Sequence, residues 1–436
     1  MKKFFTLSLI SLFLSATALA DEPSLTVIEG GEAYGGYMPE CISGNGTYVG
    51  GSTFMQAMFM SEWQQQDSFA VTEGSEYANY GAEIRSVTND GIGAGFDDTG
   101  ALTFNFATKE ITYLTKVNKN LFSDAAADGI SADGSVVVGY VIPKGEDPTA
   151  AYWENGELQL LTIPTYEEVG FDILGSRALL ISDDAQTIVG YLVDKRATNP
   201  MIIWHRQADG TYECDAVCAR YFCVPNEGID NEFIRFTPMS LSHNGKLVLM
   251  NVTYNDIKRY GDWFLAYYDI EKDELTVSTF NEEYGISPES YLFSMLHGIS
   301  DKGTSVGYFE TENGRTSFIM YADEMQPRLL VDEYPLADFS IFEENGENAV
   351  SGISADGRYI CGMGSDYSEI YKGYYFVGYV LDRGESEDSS VKAIGEENVL
   401  TGETEFYTID GIRVSAPVKG LNIIRCADGK VKKVIY

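Results

Sequence analysis

The sequence predicts an all-β fold, a seven-bladed β-propeller followed by a small C-terminal β module. One segment, residues 130–140 with the sequence Ile-Ser-Ala-Asp-Gly-Ser-Val-Val-Val-Gly-Tyr, returns in close copies six more times. The Ser or Thr of successive copies recurs at intervals of 43 to 60 residues, which is close to the length of a propeller blade. These positions are Ser43, Thr88, Ser131, Ser182, Ser242, Ser300 and Ser354.

Each copy predicts a β-hairpin. An aliphatic strand end precedes the Ser, an Asp or Asn tolerates the tight bend, Gly supplies a positive φ, and a second strand rich in Val and Ile follows. A third apolar or aromatic strand and usually a fourth come after the hairpin, as in residues 150–161. The third strand is marked in other repeats by residues 201–204, 263–268, 317–321 and 374–379, and least clearly by residues 102–106.

A four-stranded sheet of this size cannot bury both of its faces alone. Seven sheets stacked around a central axis cover one another's hydrophobic faces, and radial closure leaves no long free edge. The alternative, an open β-solenoid, accommodates repeats of such unequal length poorly. We therefore expect the propeller to span residues 21–383.

The first twenty residues predict a secretory signal peptide that is cleaved before Asp21. Lys2 and Lys3 precede an apolar run at 4–14, and the segment ends in small residues at 18–20. We expect an exported protein, extracellular or on the cell surface, with the periplasm as the alternative. No later segment approaches the roughly 18 apolar residues that would cross a bilayer.

The chain is strongly acidic. Its formal charge is −36, and without the two lysines of the leader it becomes −38. Such a surface repels polyphosphate, so nucleic acids are not expected as partners. The acidity suits a soluble secreted protein or a cation binder. Acidic turns such as Asp97-Asp98 and Asp183-Asp184 offer oxygen ligands for Ca²⁺ without the spacing of an EF-hand loop, and no other cofactor is expected.

Cysteines and histidines give no catalytic or metal motif. The six cysteines permit disulfides in an exported chain without requiring them, so their pairing stays open. Cys41 and Cys361 adjoin repeat hairpins and are expected to be small buried residues. Cys214, Cys218 and Cys223 fall inside the long fourth repeat and lack the spacing of a zinc site. The histidines, each in a different repeat, are His205, His243 and His297.

The end of the chain differs in composition. Residues 384–394 begin with a polar, acidic run and are predicted to be a linker. Residues 405–414, 419–425 and 430–436 predict three short strands separated by turns, within a module at 395–436. The charge also changes sign here, because the chain from Arg413 onward contains six basic residues and a single acid, Asp428.

Two resemblances follow from these motifs. The repeats resemble the HAF-type extracellular repeat, in which Ile-Ser-x-Asp-Gly-x-x-Val-x-Gly precedes an aromatic strand, and this resemblance implies an exported propeller. The tail resembles the C-terminal sorting domain of the Bacteroidetes type IX secretion pathway, which implies recognition by secretion machinery. A plain three-stranded sheet without a sorting role is the alternative. The matching positions are Asp410, Gly411, Pro417, Gly420, Lys430 and Lys433.

The most promising binding surface lies on the loops that leave the second strand of each repeat, opposite the Asp-Gly turns. Two of these loops are rich in tyrosine, whose flat apolar face and hydroxyl suit sugars and protein surfaces. The alternative is that these rings pack between blades. The candidate residues are Tyr254, Arg259, Tyr260, Tyr367, Tyr371 and Tyr374.

We therefore expect a binding propeller that recognises glycan or protein through its loop face. A carbohydrate-active hydrolase or lyase and a structural cell-surface component are the alternatives. Catalysis is the less favoured reading because no residue pattern points to it. Fold alone does not choose among the three.

Overall fold

The computed structural model describes most of the region predicted to be the propeller and four short segments near the C-terminus. The described residues are 22–32, 35–70, 81–118, 120–195, 199–217, 234–254, 263–279, 291–311, 314–322, 324, 326–339, 348–368, 372–384, 387, 405–408, 413–414, 421–425 and 431–435. No helix among them is long and apolar enough to span a membrane.

Seven four-stranded antiparallel sheets, one per repeat, confirm the predicted propeller. Blades 1 to 6 are formed by consecutive strands, from β2–β5 to β22–β25, and blade 7 contains β26, β27 and β28. The strands are β1 (Ser24–Val27), β2 (Tyr37–Ile42), β3 (Tyr48–Thr53), β4 (Met58–Glu62), β5 (Asp67–Ala70), β6 (Glu83–Val87), β7 (Ile92–Asp97), β8 (Gly100–Asn105), β9 (Glu110–Lys116), β10 (Phe122–Ile130), β11 (Val136–Pro143), β12 (Thr149–Glu154), β13 (Glu157–Leu160), β14 (Ile173–Ile181), β15 (Thr187–Asp194), β16 (Met201–Arg206), β17 (Tyr212–Asp215), β18 (Ile234–Leu241), β19 (Leu247–Tyr254), β20 (Trp263–Asp269), β21 (Glu274–Thr279), β22 (Tyr291–Ile299), β23 (Ser305–Thr311), β24 (Gly314–Met320), β25 (Pro327–Leu329), β26 (Asn348–Ile353), β27 (Tyr359–Ser368) and β28 (Gly373–Asp382).

Within the described part of the chain, short helical turns connect some of the strands. Two are single α-helical turns that follow the outer strands of blades 3 and 6, and one is a 3₁₀ turn between β4 and β5. They are α1 (Tyr166–Val169), α2 (Leu330–Glu333) and the 3₁₀ turn Trp63–Gln65.

The ring is closed by the beginning of the chain. Strand β1 pairs antiparallel with β28, with Ser24 opposite Asp382 and Val27 opposite Tyr379. The outermost strand of blade 7 therefore comes from the N-terminal end of the propeller, while the other three come from its C-terminal end. This pairing joins the two ends of the propeller within one sheet and so closes the ring.

The hydrophobic core is divided into seven clusters, each at the interface of two neighbouring blades. Alternation along the strands explains this division, since successive side chains point to opposite faces of a sheet. In β11, Val136 and Val138 pack toward blade 4, whereas Val137 packs toward blade 2. Each blade thus covers one face of each neighbour, as expected from the repeat.

The repeated turns have the predicted chemistry. In the third repeat, the hydroxyl of the buried Ser131 donates to Asp133 Oδ1 (2.8 Å) and accepts from the Val136 amide (3.1 Å). Gly134 takes the positive φ of 72° that the bend requires. The same Ser-to-Asx hydrogen bond recurs at Ser43, Ser182, Ser242 and Ser354.

The C-terminal module forms its own sheet. Its strands pair antiparallel in the order β30-β29-β31-β32. The prediction of three strands was wrong by one, because the segment 405–414 supplies two strands where one was expected. The strands are β29 (Glu405–Thr408), β30 (Arg413–Val414), β31 (Leu421–Arg425) and β32 (Val431–Ile435).

Two described residues that follow β28, Arg383 and Glu387, contact the propeller. Glu387 lies in the interval predicted to be a linker, and its carboxylate accepts a hydrogen bond from Ser300 Oγ (2.5 Å) and pairs with Arg383 Nη1 (3.1 Å). The Arg383 guanidinium is buried and also donates to the Tyr334 hydroxyl (2.6 Å).

Candidate functional site: the central channel and the loop face

A β-bulge occurs at the same position in the innermost strand of every blade. The antiparallel register skips one residue three positions before the turn Ser or Thr in all seven repeats. A bulge re-aims the side chain of the extra residue, and all seven of these residues line one cavity of about 150 Å³ at the inner strands. We call this set the channel ring: Glu40, Arg85, Asp128, Leu179, Met239, His297 and Ser351.

The channel ring is chemically asymmetric. Blades 1 to 3 contribute charged residues, blades 4 and 5 contribute Leu179 and Met239, and blades 6 and 7 contribute His297 and Ser351. Among these seven residues, those of blades 1 to 3 can form ion pairs, while those of blades 4 and 5 offer apolar contacts.

Arg85 organises the charged side. Its Nε lies 3.2 Å from Glu83 Oε1, and its Nη1 lies 2.5 Å from Asp128 Oδ1. The guanidinium also stacks over the Phe96 ring, 4.7 Å from the centroid. These contacts fix Arg85 between two carboxylates, and the pair with Asp128 joins blade 2 to blade 3.

Two carboxyl groups of the charged side have raised pKa values. Burial and the nearby charge of Glu83 raise the pKa of Glu40 from 4.5 to about 7, although Arg85 opposes the shift. Burial likewise raises the pKa of Asp128, and the charge of Arg85 lowers it in part. The surrounding protein removes part of the hydration of the Glu40 carboxylate, and this raises its pKa. The residue nevertheless stays exposed within the channel.

His297 faces the cavity in its neutral form. Burial lowers the pKa of its imidazole to about 4, and the charge of Arg315 adds to the effect. The ring stacks on Tyr308 with centroids 5.2 Å apart. At neutral pH the channel ring therefore gains no positive charge from this histidine.

Two residues that line the cavity each have a buried polar atom that makes no hydrogen bond within the described part of the chain. The two atoms are Asp128 Oδ2 and His297 Nε2. Buried polar atoms of native proteins are nearly always paired with protein or with a bound molecule. Because both residues line the cavity, the channel ring is a candidate binding site.

The charged members of the channel ring were not among the residues that the sequence motifs singled out. A signal was available, because aligning the seven repeats on their Ser or Thr places these residues in one column, three positions earlier. That column has no consistent chemistry, so it does not stand out as a motif. Only the bulge and the ring closure bring its members together.

His243 closes the other end of the channel. Adjacent repeat turns are joined there by hydrogen bonds such as Asp183 N to His243 O (2.8 Å) and Ala355 N to Gly44 O (2.9 Å). A Cβ added to Gly44 in blade 1 would lie 3.1 Å from His243 Nδ1 of blade 5, so the imidazole reaches across the axis. The sequence showed no motif at His243, and the structure gives it this closing position.

Asp183 holds the His243 ring in place. The distance from His243 Nδ1 to Asp183 Oδ1 is 2.8 Å. Burial alone would lower the pKa of His243, but this hydrogen bond and the charges of Asp183 and Asp301 outweigh it and raise the pKa above its ordinary value. We call the opposite end of the channel the loop face.

The loop face carries the connections between the second and third strands of each blade, as the repeat predicts. Tyr367 and Tyr374 face each other across the β27–β28 ladder, with ring centroids 5.3 Å apart and planes at 74°. Strand β19 ends at Tyr254, whose side chain is not among those that the structure describes. Arg259, Tyr260 and Tyr371 also lie outside the described residues.

Three further residues extend this pair into an aromatic patch. Phe376 lies two residues beyond Tyr374 on β28, and its ring is 5.6 Å from that of Phe54 in the β3–β4 connection. Phe54 is 60 % exposed, Met55 51 %, Tyr374 57 % and Tyr367 38 %. The aromatic patch, defined as Phe54, Met55, Tyr367, Tyr374 and Phe376, spans the junction of blades 1 and 7.

The acidic turns proposed for Ca²⁺ are occupied by turn hydrogen bonds. Asp97 Oδ1 accepts from the amides of Thr99 (2.7 Å) and Gly100 (3.2 Å), and its Oδ2 accepts from the Tyr113 hydroxyl (2.7 Å). Among the described residues, no group of three or more His, Cys, Asp or Glu side chains is placed to hold a metal ion.

The remaining predicted residues are placed as follows. Cys361 is buried between blades 7 and 1, and Cys41 lies beside it with its Sγ 3.7 Å from the Ile84 carbonyl. Both are free, as is Cys214, while Cys218 and Cys223 lie outside the described residues. Lys433 lies in β32, and the other sorting-motif positions, Asp410, Gly411, Pro417, Gly420 and Lys430, are outside the described residues.

Seven blades around an axial channel define the chain as a β-propeller protein. No protein-family model and no curated protein sequence matches it. Among solved structures it is similar to oligogalacturonate lyase from Vibrio parahaemolyticus, with 10 % identity, a TM-score of 0.51 and alignment of 83 % of this chain to 97 % of that one.

Two other solved structures are more distantly similar. An oligogalacturonate lyase in complex with manganese aligns at 12 % identity over 79 % of this chain and 88 % of that one, with a TM-score of 0.49. TolB from Acinetobacter baumannii aligns at 13 % identity over 62 % and 58 %, with a TM-score of 0.39. At such identities the first likeness shows a shared fold alone.

Proposed function

We propose that this chain is an exported binding protein whose propeller contacts a partner macromolecule through its loop face. The exposed aromatic patch is the observation that carries the proposal. Large contiguous apolar patches on soluble proteins mark interaction sites, whereas single exposed apolar residues do not. Tyr, Phe and Met are also enriched where protein interfaces are most buried.

A protein partner fits the aromatic patch better than a glycan. Phe54 and Met55 are half exposed or more and carry no hydrogen-bonding group, whereas sugar recognition needs polar groups beside the ring. Tyr367 and Tyr374 supply hydroxyls, so a glycan is the second ligand class. A ligand of either class would contact the same two tyrosines, which the sequence had already singled out.

The enzymatic alternative, a carbohydrate-active hydrolase or lyase, would place its carboxylates in the channel. Glu40 and Asp128 are present there, and their environments differ. However, a cavity near 150 Å³ holds a molecule about the size of benzene, whereas cleavage between two sugars requires space for both. The cavity volume therefore favours binding over glycoside cleavage.

Site-specific photo-crosslinking in the producing cells tests the proposal. A photoreactive phenylalanine analogue would be placed at Phe54 or Tyr374 and, as matched controls, at Leu160 or Tyr166, which are each 57 % exposed outside the aromatic patch. We expect a discrete protein adduct from the patch positions only. The double variant F54S/Y374S, carrying the analogue at Tyr367, should lose that adduct.

A glycan array with the same variants separates the two ligand classes. Binding to a defined glycan that F54S/Y374S abolishes, without a protein adduct, would assign the patch to sugar recognition. If neither adduct nor glycan binding depends on the patch, the binding proposal fails and a structural surface role takes its place.

We also propose that residues 395–436 act as a sorting signal after export through the predicted leader. Support comes from the resemblance of its Asp-Gly, Pro-x-x-Gly-Leu and Lys-rich motifs and from the reversal of charge in the tail. In a host with the type IX pathway, the full chain should reach the cell surface, and a chain ending at residue 394 should remain periplasmic. Equal surface display of both chains would contradict the proposal.

A further inference from the structure

The polar atoms of the channel ring that lack a partner are hydrogen-bond acceptors or can act as acceptors. Asp128 Oδ2 has no hydrogen-bond partner among the described residues, and the Asp128 side chain is only 3 % exposed. The Glu40 carboxylate faces the same cavity, and no described residue donates to it. His297 Nε2 is unpartnered as well. A ligand that satisfies this arrangement must bring hydrogen-bond donors.

The principal donor of the channel ring is already engaged. Arg85 donates to Glu83 and Asp128 and stacks on Phe96. A ligand rich in acceptors would therefore compete with two carboxylates for one guanidinium. An anion would additionally face the Glu40 and Asp128 charges directly.

The balance of charge also favours a cation. The charges of Arg85, Arg177 and Glu83 act electrostatically on the Asp128 carboxylate. Those of Glu83 and Arg85 act in the same way on the Glu40 carboxylate. Arg177 lies over the Tyr140 ring, 4.0 Å from its centroid. With Glu40 ionised, the three carboxylates outnumber the two guanidinium groups, within a chain of formal charge −36.

The shape of the cavity limits the size of the ligand. Its volume of about 150 Å³ is that of a cavity which admits benzene, so about six heavy atoms fit. Leu179 and Met239 form the apolar side. No described cluster has the three His, Cys, Asp or Glu ligands that would select a metal ion, which leaves an organic cation as the fitting class.

We propose that the channel ring binds a small alkylammonium ion. Its N–H groups hydrogen-bond to Asp128 Oδ2 and to the Glu40 carboxylate, and its short aliphatic chain contacts Leu179 and Met239. Entry is from the loop face because His243 occupies the other end of the channel. This site is separate from the aromatic patch and does not depend on the function proposed for that surface.

Isothermal titration calorimetry of the mature full chain tests the proposal, with n-butylammonium chloride as the probe and n-butanol as its uncharged counterpart. At about pH 8, where Glu40 is ionised, we expect saturable binding of one n-butylammonium and none of n-butanol. Removing a charge-assisted hydrogen bond by Asp128→Asn should weaken binding at least about tenfold. Glu157→Gln, an exposed change on the outer strand β13, should leave it unchanged.

A second variant protects the test against a folding defect. Ser351→Phe fills the cavity without altering any charge, so it should abolish binding even if Asp128→Asn does not fold. Nuclear magnetic resonance of the histidines should show His297, which lines the cavity, shifting on addition of n-butylammonium, while His205, which does not line it, stays unmoved. Absence of binding would mean that water alone satisfies Asp128, and the proposal would be overturned. Equal binding by wild type and Asp128→Asn, or tighter binding of glycerol than of n-butylammonium, would overturn it too.

Discussion

The hydrogen bond between Trp153 and Thr115 offers the sharpest test of how the blades hold together. Trp153 on β12 of blade 3 is fully buried, and its Nε1 donates to Thr115 Oγ1 on β9 of blade 2 at 2.9 Å. Trp153→Phe removes the donor and part of the ring, leaving the buried hydroxyl without a partner. The unmatched hydroxyl costs about 1–3 kcal/mol and the lost ring area about 1–2 kcal/mol more.

We therefore expect Trp153→Phe to lower the free energy of unfolding by about 3 kcal/mol. For a propeller of this length, an unfolding entropy near 2 cal/mol/K per residue converts this into a midpoint lowered by roughly 4 °C. Thr115→Val should cost about 1–2 kcal/mol, because it leaves the indole N–H unsatisfied. Thermal unfolding monitored by circular dichroism measures both changes.

The double variant separates the hydrogen bond from the packing. With donor and acceptor both removed, no polar group is left unmatched, so the double variant should be more stable than the sum of the single changes predicts, by about 1–2 kcal/mol. The matched control is the Trp204 and Thr162 pair, whose acceptor is the Thr162 main-chain carbonyl. Thr162→Val retains that acceptor, so its cycle with Trp204→Phe should be additive. Additivity in the Trp153 cycle would refute the reasoning.

Three further changes test other parts of the structure. Glu40→Gln should remove a fall in stability between about pH 4.5 and pH 7, because a carboxyl whose pKa is raised on folding binds more protons in the folded state, and stability is lost as pH rises through that window. Urea unfolding across this range measures it, and an unchanged slope would contradict the environment assigned to Glu40. Ser131→Ala should lower the free energy of unfolding by about 1–3 kcal/mol, because the buried Val136 amide loses its side-chain acceptor, whereas Ser135→Ala in the same turn should change it by less than about 0.5 kcal/mol. Asp183→Asn should lower the pKa of His243, followed by carbon-13 resonances of the three histidines, and an unmoved titration would show that the two side chains do not interact.

The sequence predicted the elements of the propeller because their signals are local. Each Ser-x-Asp-Gly turn fixes its own bend through side-chain hydrogen bonds within five residues, as at Ser131 and Asp133. Alternation in β11 likewise indicates two buried faces, and two buried faces on a small sheet require two neighbours. The number of blades and their order follow from these signals.

The candidate site was predicted only in part. Tyr367 and Tyr374 flank one short hairpin loop, so their proximity follows from local sequence, and the structure places them opposite each other with their rings edge to face. Phe54 lies more than 300 positions earlier, in another blade, and no local pattern connects it to them. It joins the aromatic patch because ring closure places blade 1 beside blade 7.

By itself, the sequence determined that this protein is built from seven hairpin-centred sheets, because turn chemistry and strand alternation act between near neighbours in the chain. Tertiary structure alone decided that β1 completes blade 7, that His243 reaches across the axis toward Gly44, and that Glu40, Arg85 and Asp128 meet in one channel. The physical reason is geometric. A bulge turns one side chain of each inner strand out of the alternating pattern, and only a closed ring brings those side chains to a common axis.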